Sequence, residues 1–133
     1  MTATCREACC SVTPRVSVAE LFDRGFRRNH AEPLSIAGAP CADAEGNSAR
    51  YSLELAGGKL AAIGFRATSC ATLIAYCELI AEMVPGFSIE IAEGLSVRDL
   101  IGALAGVPEF KQPRAALAVA AFRAALTEAR SRQ

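Results

Sequence analysis

Six cysteines in a chain of 133 residues set the chemistry this sequence could do: Cys5, Cys9, Cys10, Cys41, Cys70 and Cys77. Thiolates bind soft metals and attack sulfur, and in a reducing compartment such a set points to metal or redox chemistry rather than disulfides. Cys70 has the most informative setting. The run Phe65-Arg66-Ala67-Thr68-Ser69-Cys70 ends an alternating stretch and leads into a helical pattern. Ser69 is a good N-cap, which would place Cys70 in the first helical turn, where unpaired backbone N–H groups and the helix dipole favour an anion. A thiol there ionises more readily than a free one. The plainer reading of the same stretch is a small apolar residue sealing a strand–helix junction. No spacing matches a C-x2-C zinc ribbon, and the single His30 completes no zinc pattern. Cys77, seven residues after Cys70, lies two helical turns along, too far to share a metal ion, and falls on the apolar stripe.

Composition bounds the rest. The length is that of one domain, and 52% hydrophobic against 21% charged residues is enough for one compact core. A formal net charge of zero, 6% aromatic residues and no Trp argue against a nucleic-acid surface. No apolar run approaches the roughly 20 residues needed to span a bilayer, and the first ten residues lack the apolar core of a signal peptide. A cytoplasmic location is the resulting expectation. Residues 1–16 read as a flexible cysteine-containing tail, and 17–133 as the folded domain.

The elements that must position these thiols follow from local signals. Ser17-Val18-Ala19-Glu20 has capping-box form and opens a helix to about Arg28. A loop with one edge strand at Leu34–Ile36 follows. Tyr51, Leu53 and Leu55 alternate with polar residues, Gly57-Gly58 is a hairpin signal, and Lys59–Arg66 returns as a strand with Ala61, Ile63 and Phe65 on one face. The helix after Cys70 stops at Pro85-Gly86, 87–93 makes one turn, and Ser96–Asp99 caps a helix to about Leu104. An Ala-rich helix from Pro113 carries Leu117, Val119, Phe122 and Leu126 inward. The order predicts an α+β fold: a small antiparallel β-sheet of about three strands packed against several α-helices.

Gly38-Ala39-Pro40-Cys41-Ala42-Asp43, then a hairpin, then Phe65–Cys70 and a long helix ending at Gly86, resembles the NifU/IscU-type iron–sulfur cluster assembly scaffold. Val107-Pro108-Glu109-Phe110-Lys111 is similar to that family's Leu-Pro-Pro-Val-Lys segment, and the likeness covers roughly residues 17–130. It implies the NifU N-terminal-like fold and a non-enzymatic scaffold role. Cys41 and Cys70 match ligand cysteines, Asp43 the aspartate that keeps a bound cluster labile, and Lys111 a lysine close to the site. Cysteine desulfurase and cluster-acceptor proteins are the implied partners; a homo-oligomer stays open.

The departures matter equally. Where the family has a His-Cys pair supplying its third cysteine, this chain has Pro113 and Arg114. Ser69, Ala71 and Ala42 stand where the family has glycines. Three readings follow. The chain holds iron, zinc or an iron–sulfur cluster through Cys41, Asp43 and Cys70; or it accepts sulfur as a persulfide on Cys41 or Cys70, with Arg114 or Lys111 stabilising the charge; or it keeps the fold and binds a partner without a cluster. Cys5, Cys9 or Cys10, a second copy, or a small thiol could complete a ligand shell.

Overall fold

The computed structural model describes residues 15–133. The expected tail cysteines Cys5, Cys9 and Cys10 lie outside the described residues. The fold is α+β, built around a hairpin of β4 (Ser48–Ala56) and β5 (Lys59–Ala67). Gly57 and Gly58 sit at φ 60° and 78°, the left-handed pair that a two-residue hairpin turn requires. Two short strands, β2 (Ile36–Ala37) and β3 (Cys41–Ala42), add antiparallel to the other edge of β4, with Ile36 opposite Leu53 and Cys41 opposite Ala49. The sheet therefore has four strands, one more than expected. The edge strand predicted at Leu34–Ile36 is β2, which shares only Ile36 with that range.

Register within the hairpin brings Tyr51 opposite Phe65 and Leu53 opposite Ile63. A bulge follows Glu54, so Leu55 pairs with Leu60 and Ala61 is the extra residue. The expected Ala61, Ile63, Phe65 face is thus broken: Ala61 is exposed and Leu60 enters the core in its place. One inserted residue reverses the alternation on one side of it.

Five helices enclose the inner face. They are α1 (Val18–Asn29), α2 (Ala71–Met83), α3 (Ile89–Glu93), α4 (Val97–Ala103) and α5 (Pro113–Ser131). The Ser17/Glu20 and Ser96/Asp99 capping boxes both form. Pro113 starts α5, where its missing N–H is not needed. Helix α2 is apolar on nearly every side because it is sandwiched between α1, β5 and α5. Tyr51 stacks edge-on to Phe122 of α5 at 5.4 Å, and its hydroxyl donates to the Cys77 carbonyl at 2.7 Å. A two-residue parallel pair, β1 (Val16–Ser17) with β6 (Leu104–Ala105), ties the start of the domain to the end of α4.

Gly38 joins β2 towards β3. A Cβ there would overlap the α5 backbone at Ala125, so glycine lets this loop lie directly on the helix. That contact fixes how β3, and with it Cys41, approaches the N-terminal half of α5.

Candidate functional site

Cys41 and Cys70 reach the same end of the sheet by hydrogen bonding through Ser48. Ala42 pairs with Ser48 in the β3–β4 ladder, and the Ser48 carbonyl accepts from the Thr68 N–H at 3.0 Å. The segment carrying Cys41 and the segment carrying Cys70 therefore flank one residue of β4. Both thiols are half-buried and free.

Cys70 is itself the N-cap of α2, with extended backbone (φ −120°, ψ 116°), and Ser69 stands one residue too early to cap. The Cys70 N–H bonds the Thr68 carbonyl at 2.7 Å, and this tight turn moves the helix start on by one. The electrostatic consequence expected for a first-turn cysteine still holds. Burial pushes the thiol up, but the N–H of Leu73, the Arg114 guanidinium and the N–H of Thr72 outweigh it and bring it below the usual thiol value. No full capping hydrogen bond to the sulfur forms, so the two N–H groups act by proximity.

Asp43 opens the turn between β3 and β4. Its Oδ1 accepts from the N–H groups of Glu45 (2.9 Å) and Asn47 (3.0 Å), and Oδ2 accepts from Asn47 Nδ2 (3.1 Å). An Asp that accepts backbone N–H groups two and four residues ahead is the ordinary chemistry of a turn. Partial burial raises its carboxyl, yet the Asn47 and Glu45 bonds together with Arg114 hold it below the usual range.

Arg114 is the second residue of α5, and its side chain is only 11% exposed. One terminal nitrogen donates to Glu45 Oε1 at 2.7 Å, and the other lies 3.9 Å from Asp43 Oδ2. Its ionisation is pushed up, first by the Cys70 thiolate beside it and then, against the opposing effect of burial, by Glu45. The buried Nε has no hydrogen-bond partner. Lys111 ends the 3₁₀ turn Glu109–Lys111 just before α5, is half-buried, and forms no ion pair among the described residues.

Of the residues singled out from sequence, Asp43 and Cys70 lie near the Arg114 guanidinium, with Cys41 on the strand that leads to Asp43. Among the described residues no three His, Cys, Asp or Glu side chains form a group that could hold a metal ion. Cys77, by contrast, is fully buried, and burial pushes its thiol up to about 12, as suits a core residue. Sequence reasoning passed over Glu45 and Asn47. The Asp43–Asn47 spacing around Gly46 (φ 87°) carries a local turn signal, but nothing local marks Glu45 as the partner of a residue in α5.

No helix among the described residues is long and apolar enough to cross a membrane. No curated protein matches the chain. Among solved structures, a hypothetical protein at 19% identity covers 81% of this chain and 98% of its own, with a TM-score of 0.51. A putative iron-sulfur cluster assembly scaffold protein for the SUF system from Fervidobacterium islandicum AW-1 is 12% identical, covers 86% of this chain and 91% of its own, and has a TM-score of 0.52. At these identities the likeness is one of fold. The sequence itself carries the relationship further, because the model of the NifU-like N terminal domain matches residues 22–133. The chain belongs to the NifU-like N terminal domain family.

Proposed function

We propose that the chain serves iron–sulfur cluster assembly as a scaffold-like carrier, and that its cargo at Cys70 is sulfur, taken up as a persulfide. Family membership supports the process. What carries the finer reading is the nearly buried Arg114 guanidinium, held by Glu45 near Asp43 at the position where the family has a ligand cysteine, together with its pull on the ionisation of the Cys70 thiol. A fixed cation there opposes a second cation and favours thiolate or persulfide. The Cys70 thiolate attacks the outer sulfur of a donor persulfide. A new S–S bond forms on Cys70 as the donor's S–S bond breaks, and the electron pair leaves with the donor's thiolate. A cysteine desulfurase is the donor this chemistry calls for, and cluster-acceptor proteins are the eventual recipients. The chain carries sulfur and is not itself a catalyst.

A second reading is favoured by the two half-buried thiols at one sheet end: iron, zinc or a cluster held by Cys41, Asp43 and Cys70, with Lys111 and Arg114 lining the site. It demands more of the fold. Asp43 would have to give up bonds to Asn47, and a cluster's four ligands would need a donor from outside this set.

Incubation with a cysteine desulfurase and cysteine, read by intact and peptide mass, separates the two. The expected result is a gain of one sulfur on the Cys70 peptide, lost in Cys70→Ser and weakened in Arg114→Gln. Absence of that label, together with stoichiometric iron or zinc after anaerobic reconstitution that Asp43→Ala removes, would replace sulfur carriage with the metal reading.

A further inference from the structure

The outer face of the sheet carries a second charged arrangement, one strand face away from the thiols. Cys41 pairs with Ala49, which is buried in the core, whereas the next residue, Arg50, is exposed on the opposite face. Arg50 and Arg66 are direct register partners in the β4–β5 ladder. Like charges directly opposite one another in an antiparallel pair are destabilising, whereas a carboxylate across from an arginine would stabilise the pair. Here neither arginine enters any ion pair among the described residues.

Both arginines are nevertheless held in place. Arg50 Nε donates to the Gly38 carbonyl at 2.7 Å, and Arg66 donates through one terminal nitrogen to the Ala31 carbonyl at 3.0 Å. Each bond uses one of the five N–H donors of a guanidinium, so each side chain is oriented with donors to spare. Both arginines line a cavity of about 140 Å³, together with Ala31, Pro33, Ala37, Ser52 and Gly64. The wall segment is pinned, because the Leu34 N–H donates to Ser52 Oγ at 2.9 Å, and a Cβ on Gly64 would press on that oxygen. Arg28 also lines the cavity, but three of its N–H donors already serve Glu78 and the Ile63 carbonyl, and the Glu78 carboxylate pairs its charge.

We propose that this cavity binds a small organic carboxylate, with the carboxylate held by the Arg50 and Arg66 guanidiniums and a short carbon body against the Ala31, Pro33 and Ala37 walls. The planar fork of arginine matches a carboxylate in two-point geometry. The mostly apolar lining suits a carbon body, and Glu32 on the lining repels a dianion such as phosphate about twice as strongly as a singly charged carboxylate. The site is separate from the sulfur chemistry, since neither Cys41 nor Cys70 lines it.

The probe is butyrate, added to the full chain at low ionic strength and followed by the backbone amide NMR signals of Arg50, Gly64 and Arg66. The expected result is saturable shifts confined to this cavity, which matched sodium chloride does not reproduce and which inorganic phosphate reproduces at least tenfold more weakly. Arg66→Gln should weaken butyrate at least tenfold while its melting temperature without ligand stays level or rises, because a like-charge pair has been removed. Arg50→Gln provides the same reading should Arg66→Gln fail to fold. Absent or unsaturable shifts, equal shifts with chloride, or unchanged butyrate affinity in a folded variant would each overturn the proposal.

Discussion

Cys70 and Cys77 stand seven residues apart on one stretch of chain, and the fold has given them opposite chemistry. Both carry the same thiol, and both are counted among the apolar residues of α2 and its cap. Cys70 sits at the helix start, half in solvent, with two unpaired N–H groups and a guanidinium facing it. Cys77 sits two turns on, wholly enclosed, with its own carbonyl taken by the Tyr51 hydroxyl. A helix offers reactivity only at its ends, where backbone groups lack partners. Along its middle the same residue is inert filler.

The widest gap should appear in alkylation. Iodoacetamide at neutral pH, followed by peptide mapping, should modify Cys70 at least about a hundredfold faster than Cys77, because a protected thiol reacts only through opening of the core. Comparable rates would mean that α2 is far looser than its packing indicates. Arg114→Gln should narrow the gap from one side. With the guanidinium gone, the pH midpoint of Cys70 alkylation should rise and the rate at pH 7 should fall several-fold, while Cys77 is unaffected. A midpoint that stays put would assign the lowered value to the helix N-terminus alone.

Alkaline unfolding probes the other thiol. Cys77 keeps its proton to about 12 in the folded state, against 9.0 for a free thiol. As pH climbs past 9 the unfolded chain therefore loses a proton that the folded chain retains, and stability falls with rising pH by about 1 kcal/mol per unit. Cys77→Ala should flatten that fall between pH 9 and 10 in urea titrations, at a cost of about 1 kcal/mol near neutrality from lost packing. Above pH 10 the buried Tyr51, raised by the same burial, adds its own loss in both proteins. The smallest effect belongs to Glu45→Gln. Its bond to Arg114 is made by an exposed carboxylate, so the melting midpoint should move by less than about 1 kcal/mol equivalent, and Cys70 should react at nearly its original rate.

What could be read from sequence was whatever a few neighbouring residues decide. The Ser17 and Ser96 caps, the Gly57-Gly58 turn, the stop at Pro85-Gly86 and the start at Pro113 are each fixed within about four residues, and each formed. The failures are of longer reach. Ser69 looked a better cap than Cys70 by side-chain type, yet the bond from the Cys70 N–H to Thr68, itself set by the pairing of Thr68 with Ser48, decided where the helix begins. The bulge at Ala61 answers to the facing strand and to the bridge between Lys59 and Ser88, which no alternation within β5 encodes. The β1–β6 pair joins residues 88 positions apart through two rungs, too little pattern to notice. At the thiols, Cys70 was legible as an electrostatically favoured thiolate and Arg114 as a cation beside it; that Arg114 would also hold Glu45 was not, because the β3–β4 turn and the start of α5 lie 69 residues apart and share no local signal.

Gly38 has a consequence for motion. With no side chain between them, the strap leading to Cys41 rests on the backbone of α5 at Ala125, while the first turn of the same rod, about 28 Å long, carries Arg114. Lifting the strap means giving up its close packing against a helix that holds Phe122 and Leu126 in the core. The amides around β3 should then exchange with deuterium only as fast as the whole domain opens, although two-residue edge strands ordinarily fray long before that. The rim that carries the half-buried thiols would then be as slow to breathe as the centre of the protein.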